Sequence, residues 1–145
     1  MLRGSYRATV EQKGRLKIPV VFLEELKQYG EEFFVTSMNG DRARIYPIKV
    51  WEEIEEKLAR QPLHNETKQK FLARANYYGQ VVKLDKQGRV LIPPVLRTSA
   101  DLKGEVAVLP SQGFLEVWNN ERFVKHLNQT PFTAEDAKIL NEFGV

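Results

Sequence analysis

At 145 residues, with 42% hydrophobic and 28% charged, the chain has the make-up of one soluble globular domain, or of two small halves sharing a core, and not of a disordered segment. No apolar run approaches the roughly 20 residues that span a membrane. No secretory core precedes the first strand pattern, and the lack of cysteine excludes a disulfide framework, a thiolate metal site and a thiol nucleophile, which suits a cytoplasmic setting. The net charge of +3 is modest but uneven: +4 over residues 1–22, +3 over residues 83–97 and −2 over the last 17 residues.

From Tyr6 to Val10 the pattern alternates, with Tyr6, Ala8 and Val10 expected to face a core and Arg7, Thr9 and Glu11 to face water. Lys13-Gly14 supplies a tight turn, because glycine accepts the positive φ such a turn demands. Leu16 and Ile18 then point inward and Arg15 and Lys17 outward. The hairpin gains a face carrying Arg3, Arg7, Arg15 and Lys17, whose mutual repulsion makes sense beside an anion. Pro19 is placed to open a helix over Val20–Tyr29, with Gly30 as its stop. Strands over Phe33–Met38 and Arg42–Tyr46 follow, joined at Asn39-Gly40, a hairpin signal. Pro47 leads into a helix over Ile48–Arg60, with Trp51, Ile54 and Leu58 at helical spacing for the core and Glu52, Glu53, Glu55 and Glu56 as an acidic, solvated flank. After Pro62, residues 65–76 form a further helix with Asn65 as N-cap.

The plan then repeats. Val10-Glu-Gln-Lys-Gly-Arg-Leu-Lys-Ile-Pro19 aligns with Leu84-Asp-Lys-Gln-Gly-Arg-Val-Leu-Ile-Pro93 at an offset of 74 residues. Strands are expected over Gln80–Leu84, Arg89–Ile92, Glu105–Leu109 and Phe114–Trp118, and helices over Val95–Ala100 and Glu121–Leu127. Trp118 matches Tyr46, and Phe123 matches Trp51, at an offset of 72. Residues 133–143 form an amphipathic tail helix with Ile139, Leu140 and Phe143 on one side. The organisation is a first half over residues 1–63, a connecting helix over 64–77, a second half over 78–128 and a helical tail over 129–145.

The repeated strand, tight turn, Gly-Arg, strand, Ile-Pro, helix plan resembles the AbrB-like swapped-hairpin barrel family. Two ordered copies in one chain, the opening Arg3-Gly-Ser-Tyr6, Tyr46-Pro47 with Trp51-Glu-Glu-Ile-Glu-Glu-Lys-Leu58, and Asp85-Lys-Gln-Gly-Arg-Val-Leu-Ile-Pro-Pro94 together resemble the MraZ family. The resemblance implies an α+β, mainly β fold: a double swapped-hairpin barrel of two pseudo-symmetric halves with flanking helices. It also implies sequence-specific binding to double-stranded DNA upstream of the division and cell-wall gene cluster, autoregulation, and ring-like homo-oligomers associated with the nucleoid. The family's motif sets an acid and an arginine with three residues between them. Asp85 and Arg89 fit it, and Glu11 and Arg15 fit with glutamate in place of aspartate.

Arginine forks onto a guanine edge in the major groove, which a two-stranded ribbon is narrow enough to enter, and lysine and arginine displace counterions from phosphates. Arg15 and Arg89 are therefore the leading DNA-binding candidates, followed by Arg3, Arg7, Lys13 and Lys17 and then Lys86. Glu11 and Asp85 are assigned to orienting the arginines or the turn, or to an ion pair within the hairpin, and Gly14 and Gly88 to the turn itself. The first copy, richer in cations, is expected to face DNA while the second completes the barrel. No cofactor, metal or small-molecule substrate is expected: His64 and His126 lack a ligand pattern, and no HExxH, catalytic triad or phosphate loop is present. The alternative is an antitoxin-like, RNA-binding or protein-binding module of the same barrel type.

Overall fold

Alternating stretches form strands, and stretches led by proline form helices. The computed structural model describes residues 2–145; Met1, at the head of the expected first half, lies outside them. The first half comprises β1 (Tyr6–Val10), β2 (Arg15–Lys17), α1 (Val20–Leu26), β3 (Glu32–Thr36), β4 (Ala43–Pro47) and α2 (Ile48–Ala59). Helix α3 (Glu66–Tyr78) leads to β5 (Gln80–Lys83), β6 (Arg89–Leu91), α4 (Pro94–Ser99), β7 (Gly104–Pro110), β8 (Leu115–Asn119) and α5 (Asn120–Gln129), with α6 (Ala134–Glu142) behind. Pro19, Pro47 and Pro93 sit one residue earlier than a first-turn proline, at the N-caps of α1, α2 and α4. There the ring fixes φ while the backbone is still extended.

The strands form one sheet in the order β5-β3-β4-β8-β7-β1-β2-β6, antiparallel at every pairing. Its two edge strands, β5 and β6, are the arms of one hairpin whose turn closes through Asp85 N–H donating to the Arg89 carbonyl at 2.9 Å. The result is a nearly closed eight-stranded barrel, which removes most of the exposed edge that an open sheet carries. The hairpins are exchanged between halves. Strand β1 lies along β7 from Tyr6↔Val108 to Val10↔Gly104, β5 lies along β3 from Glu32↔Lys83 to Val35↔Gln80, and β2 pairs with β6. This is the double swapped-hairpin barrel that the family resemblance implied.

The interior is filled by Leu16, Ile18, Val90, Ile92, Val106 and Val117, with Phe22, Leu26 and Leu96 supplied by α1 and α4. A second apolar cluster lies outside the sheet, where Phe34 and Tyr46 meet Trp51 of α2 at ring separations of 4.7 and 5.1 Å and Ala75 of α3 packs beside them. Its counterpart is Trp118, which receives Phe123 at 5.2 Å and His126 at 4.9 Å from α5. The residues matched at an offset of 72 thus perform the same packing in both halves.

Two local expectations need correction. Tyr6, at the start of β1, is 43% exposed and rests edge-on against Phe22 instead of entering the interior. The β3–β4 connection is longer than a tight hairpin at Asn39-Gly40, because β3 stops at Thr36 and β4 resumes at Ala43. It is held instead by Gly40 N–H donating to Ser37 Oγ at 2.9 Å and by Ser99 Oγ donating to the Gly40 carbonyl at 2.7 Å. Helix α6 forms behind a capping box between Thr133 and Asp136, yet Ile139 and Phe143 on its apolar side remain exposed.

Because each half borrows strands from the other, residues 1–63 expressed alone would leave β1 without β7 and β3 without β5. The expected product is an unfolded monomer or a dimer that swaps hairpins between copies. Circular dichroism with light scattering checks this, and a folded monomer would contradict it.

Candidate nucleic-acid interface

The two turns are built alike. Gly14 N–H donates to the Glu11 carbonyl at 2.8 Å and Glu11 N–H to the Arg15 carbonyl at 2.9 Å; Gly88 N–H donates to Asp85 at 3.1 Å and Asp85 N–H to Arg89 at 2.9 Å. Both glycines are buried and take the left-handed φ that side chains resist, +91° and +77°. Each then bonds across the barrel: Ile18 N–H donates to the Gly88 carbonyl at 3.0 Å and Ile92 N–H to the Gly14 carbonyl at 2.9 Å.

That reciprocal pair sets the register of β2 on β6 as Arg15↔Leu91, Leu16↔Val90 and Lys17↔Arg89. Residues directly opposite on antiparallel strands project to the same face. Leu16 and Val90 are 0% and 1% exposed, so they point inward, and Arg15, Lys17, Arg89 and Leu91 share the outer face. Arg15 and Arg89 are diagonal neighbours there, a relation that places residues roughly 7–8 Å apart and their Cβ atoms somewhat closer. Strand β1 adds Arg7, whose Nη1 lies 3.3 Å from Glu105. Arg7, Glu11, Arg15, Lys17 and Arg89 line one shallow cleft of about 490 Å³. Lys13 and Lys86 are exposed on the two turns, and Arg3 is exposed just before β1. Helices α2, α3 and α5 pack on β3, β4, β7 and β8, so they leave this basic face open.

The two motif acids behave differently. Asp85 Oδ1 accepts from Gln87 N–H at 2.8 Å and from Arg89 N–H at 2.9 Å, an internal cap on the second turn. The amide of Arg89 first, then that of Gln87 and the nearby guanidinium groups of Arg89 and Arg15, hold this carboxyl below the usual aspartate range despite some desolvation. Arg89 itself donates from Nη1 to Gln87 Oε1. Glu11 instead approaches Arg15 Nη1 at 3.9 Å, with both side chains near half exposed, an arrangement of little energetic weight. The orienting role expected of the acid is therefore performed on backbone amides by Asp85, while Glu11 makes the ion pair.

The excess of cations on the first copy carries over to the folded face, and one further residue escapes a reading of the sequence. Val81 and Leu91 stand at the positions equivalent to Arg7 and Lys17, so the outward face of the second hairpin is less basic than that of the first, although both hairpins lie side by side. Arg97, counted only as one of the second stretch's cations, lies against the first turn, with Nη1 3.5 Å from the Gln12 carbonyl. The signal for it was present: at an offset of 74, Arg97 aligns with the apolar Leu23. Among the described residues no group of three or more His, Asp or Glu side chains could hold a metal ion, and no helix is long and apolar enough to cross a membrane.

Comparison with known proteins agrees with this architecture. A family model described as "MraZ protein, putative antitoxin-like" matches residues 1–74 and 79–143, one match for each half. The chain is 49% identical over 146 residues to the Transcriptional regulator MraZ of Acidobacterium capsulatum and 48% identical over 147 residues to that of Koribacter versatilis, with 100% of each chain covered. It is 35% identical over 147 residues, again end to end, to the protein of the same name from Caldicellulosiruptor saccharolyticus. The chain, matched by family and by relatives over both halves, belongs to the MraZ family.

Proposed function

We propose that this chain is a sequence-specific DNA-binding transcriptional regulator that contacts double-stranded DNA through the outer face of β1, β2 and β6. The observation that carries the reading is the β2–β6 register, which brings the two motif arginines onto one open face. The relatives' name, Transcriptional regulator MraZ, supports the same reading and speaks for a regulator over an enzyme. Arg15 and Arg89 reach base edges in the major groove, and Arg3, Arg7, Lys13, Lys17 and Lys86 engage the flanking phosphates. Asp85 holds the second turn in shape, and the first copy, with more cations, makes the larger share of phosphate contacts.

Few cations per chain limit the affinity of one copy. Assembly into a ring-like homo-oligomer that offers several such faces to repeated upstream sites raises the effective concentration of each further contact. The regulated region is the division and cell-wall gene cluster, including the chain's own upstream sequence, and the working location is the nucleoid within the cytoplasm.

Binding to duplex DNA from that upstream region weakens by about a thousandfold between 50 and 200 mM salt if six phosphates are engaged. A gel-shift titration measures this, and the absence of any shift at low salt would sink the reading. Arg15→Ala and Arg89→Ala each weaken specific binding by about 1–3 kcal/mol without altering the circular-dichroism spectrum. Unchanged affinity in both variants would remove the arginines from the interface. Light scattering is expected to return a mass well above a dimer, and a monomer mass would refute the ring.

A further inference from the structure

Helix α4 puts Arg97 directly beneath the first turn. A Cβ added at Gly14 would fall 2.4 Å from Cζ, 2.5 Å from Nη1 and 2.6 Å from Nε of Arg97. The guanidinium thus occupies the space that a side chain at position 14 would need. Its Nη1 reaches the Gln12 carbonyl at 3.5 Å, while its Nε is buried without a hydrogen-bond partner. A buried, unpaired donor is unfavourable, so some other gain must hold the group there. The close contact of the guanidinium with the turn at Gly14 supplies one.

The other half lacks this contact. Leu23 occupies the equivalent position, and its Cδ2 would lie 3.1 Å from a Cβ at Gly88. The second turn is capped from within by Asp85 and needs only an apolar support. Glu11, one methylene longer than aspartate, turns toward Arg15, and no amide of the first turn donates to it among the described residues. The turn without an internal cap is the one that rests on an arginine.

We propose that Arg97 is a positioning residue for Lys13 and Arg15, holding the first turn from the opposite half of the barrel in place of the cap that Asp85 gives the second. Its consequence for affinity rests on the DNA-binding reading above, whereas its effect on the turn does not. The test uses the full chain with Arg97→Leu, which copies the support at position 23, and Arg97→Lys, which keeps the charge but not the plane and stands in should the leucine variant fold poorly.

Amide hydrogen exchange without DNA is expected to speed up about three- to tenfold at Glu11 and Gly14, the scale of one lost hydrogen bond, and to stay unchanged at Asp85 and Gly88. Affinity for duplex DNA from the upstream region falls by a similar factor with its salt dependence intact, since no phosphate contact is lost. Adding Glu11→Asp to Arg97→Leu installs the missing cap and restores both readouts. Unchanged exchange at the first turn in both variants would overturn the proposal. So would a salt slope reduced by about one with unchanged exchange, which would make Arg97 a phosphate contact instead. If the wild type fails to bind DNA while the exchange pattern behaves as expected, the functional reading falls and the positioning role stands.

Discussion

Two hydrogen bonds hold the arrangement together: Ile18 to the Gly88 carbonyl and Ile92 to the Gly14 carbonyl. Each joins the end of one half's short strand to the turn of the other. Strands β2 and β6 are three residues long, too short to fix a register by themselves, and a slip of one residue would turn Arg15 and Arg89 inward and Leu16 and Val90 out. The bonds at the turn glycines clamp both ends of that short pairing. A side chain at Gly14 would collide with Arg97, and one at either glycine would resist the left-handed backbone, so the clamp depends on glycine at both places.

Barrel closure and the basic face are two results of one topology. Exchange of the hairpins sends Leu16, Ile18, Val90 and Ile92 into a shared interior, and strict alternation then sends their neighbours outward. The aromatic clusters around Trp51 and Trp118 anchor α2, α3 and α5 on the far side of the sheet. The helices cover the outer face over β3, β4, β7 and β8 and leave the outer face of β1, β2 and β6 to the cations.

Much of this was legible in the residues. The offset of 74 revealed two equivalent halves, alternation assigned the inward set, and the spacing of acid and arginine marked the turns. Strand partners were not legible from local pattern, because periodicity says which face a residue occupies and nothing about which distant strand lies beside it. The pairing of β2 with β6, and with it the sharing of one face by both arginines, therefore came from the fold. Asp85 was legible as a motif acid, but its true partners are backbone amides, and only three-dimensional geometry separates that from a salt bridge. Tyr6 illustrates the opposite failure: its alternation is correct, yet a strand's first residue can lie at the rim, where the interior no longer covers it.

The connecting helix α3 has a consequence for how such a surface diversifies. A barrel made from two identical subunits must carry the same residue at both symmetry-related positions, and it comes apart on dilution. Joined in one polypeptide, the halves meet at a fixed effective concentration, and each position drifts separately. Arg7 against Val81, Lys17 against Leu91, Glu11 against Asp85 and Leu23 against Arg97 are differences that a homodimer could not hold. They give a nearly two-fold frame a polarity, so the face has a distinct left and right, and a duplex laid across it is not equivalent to the same duplex reversed.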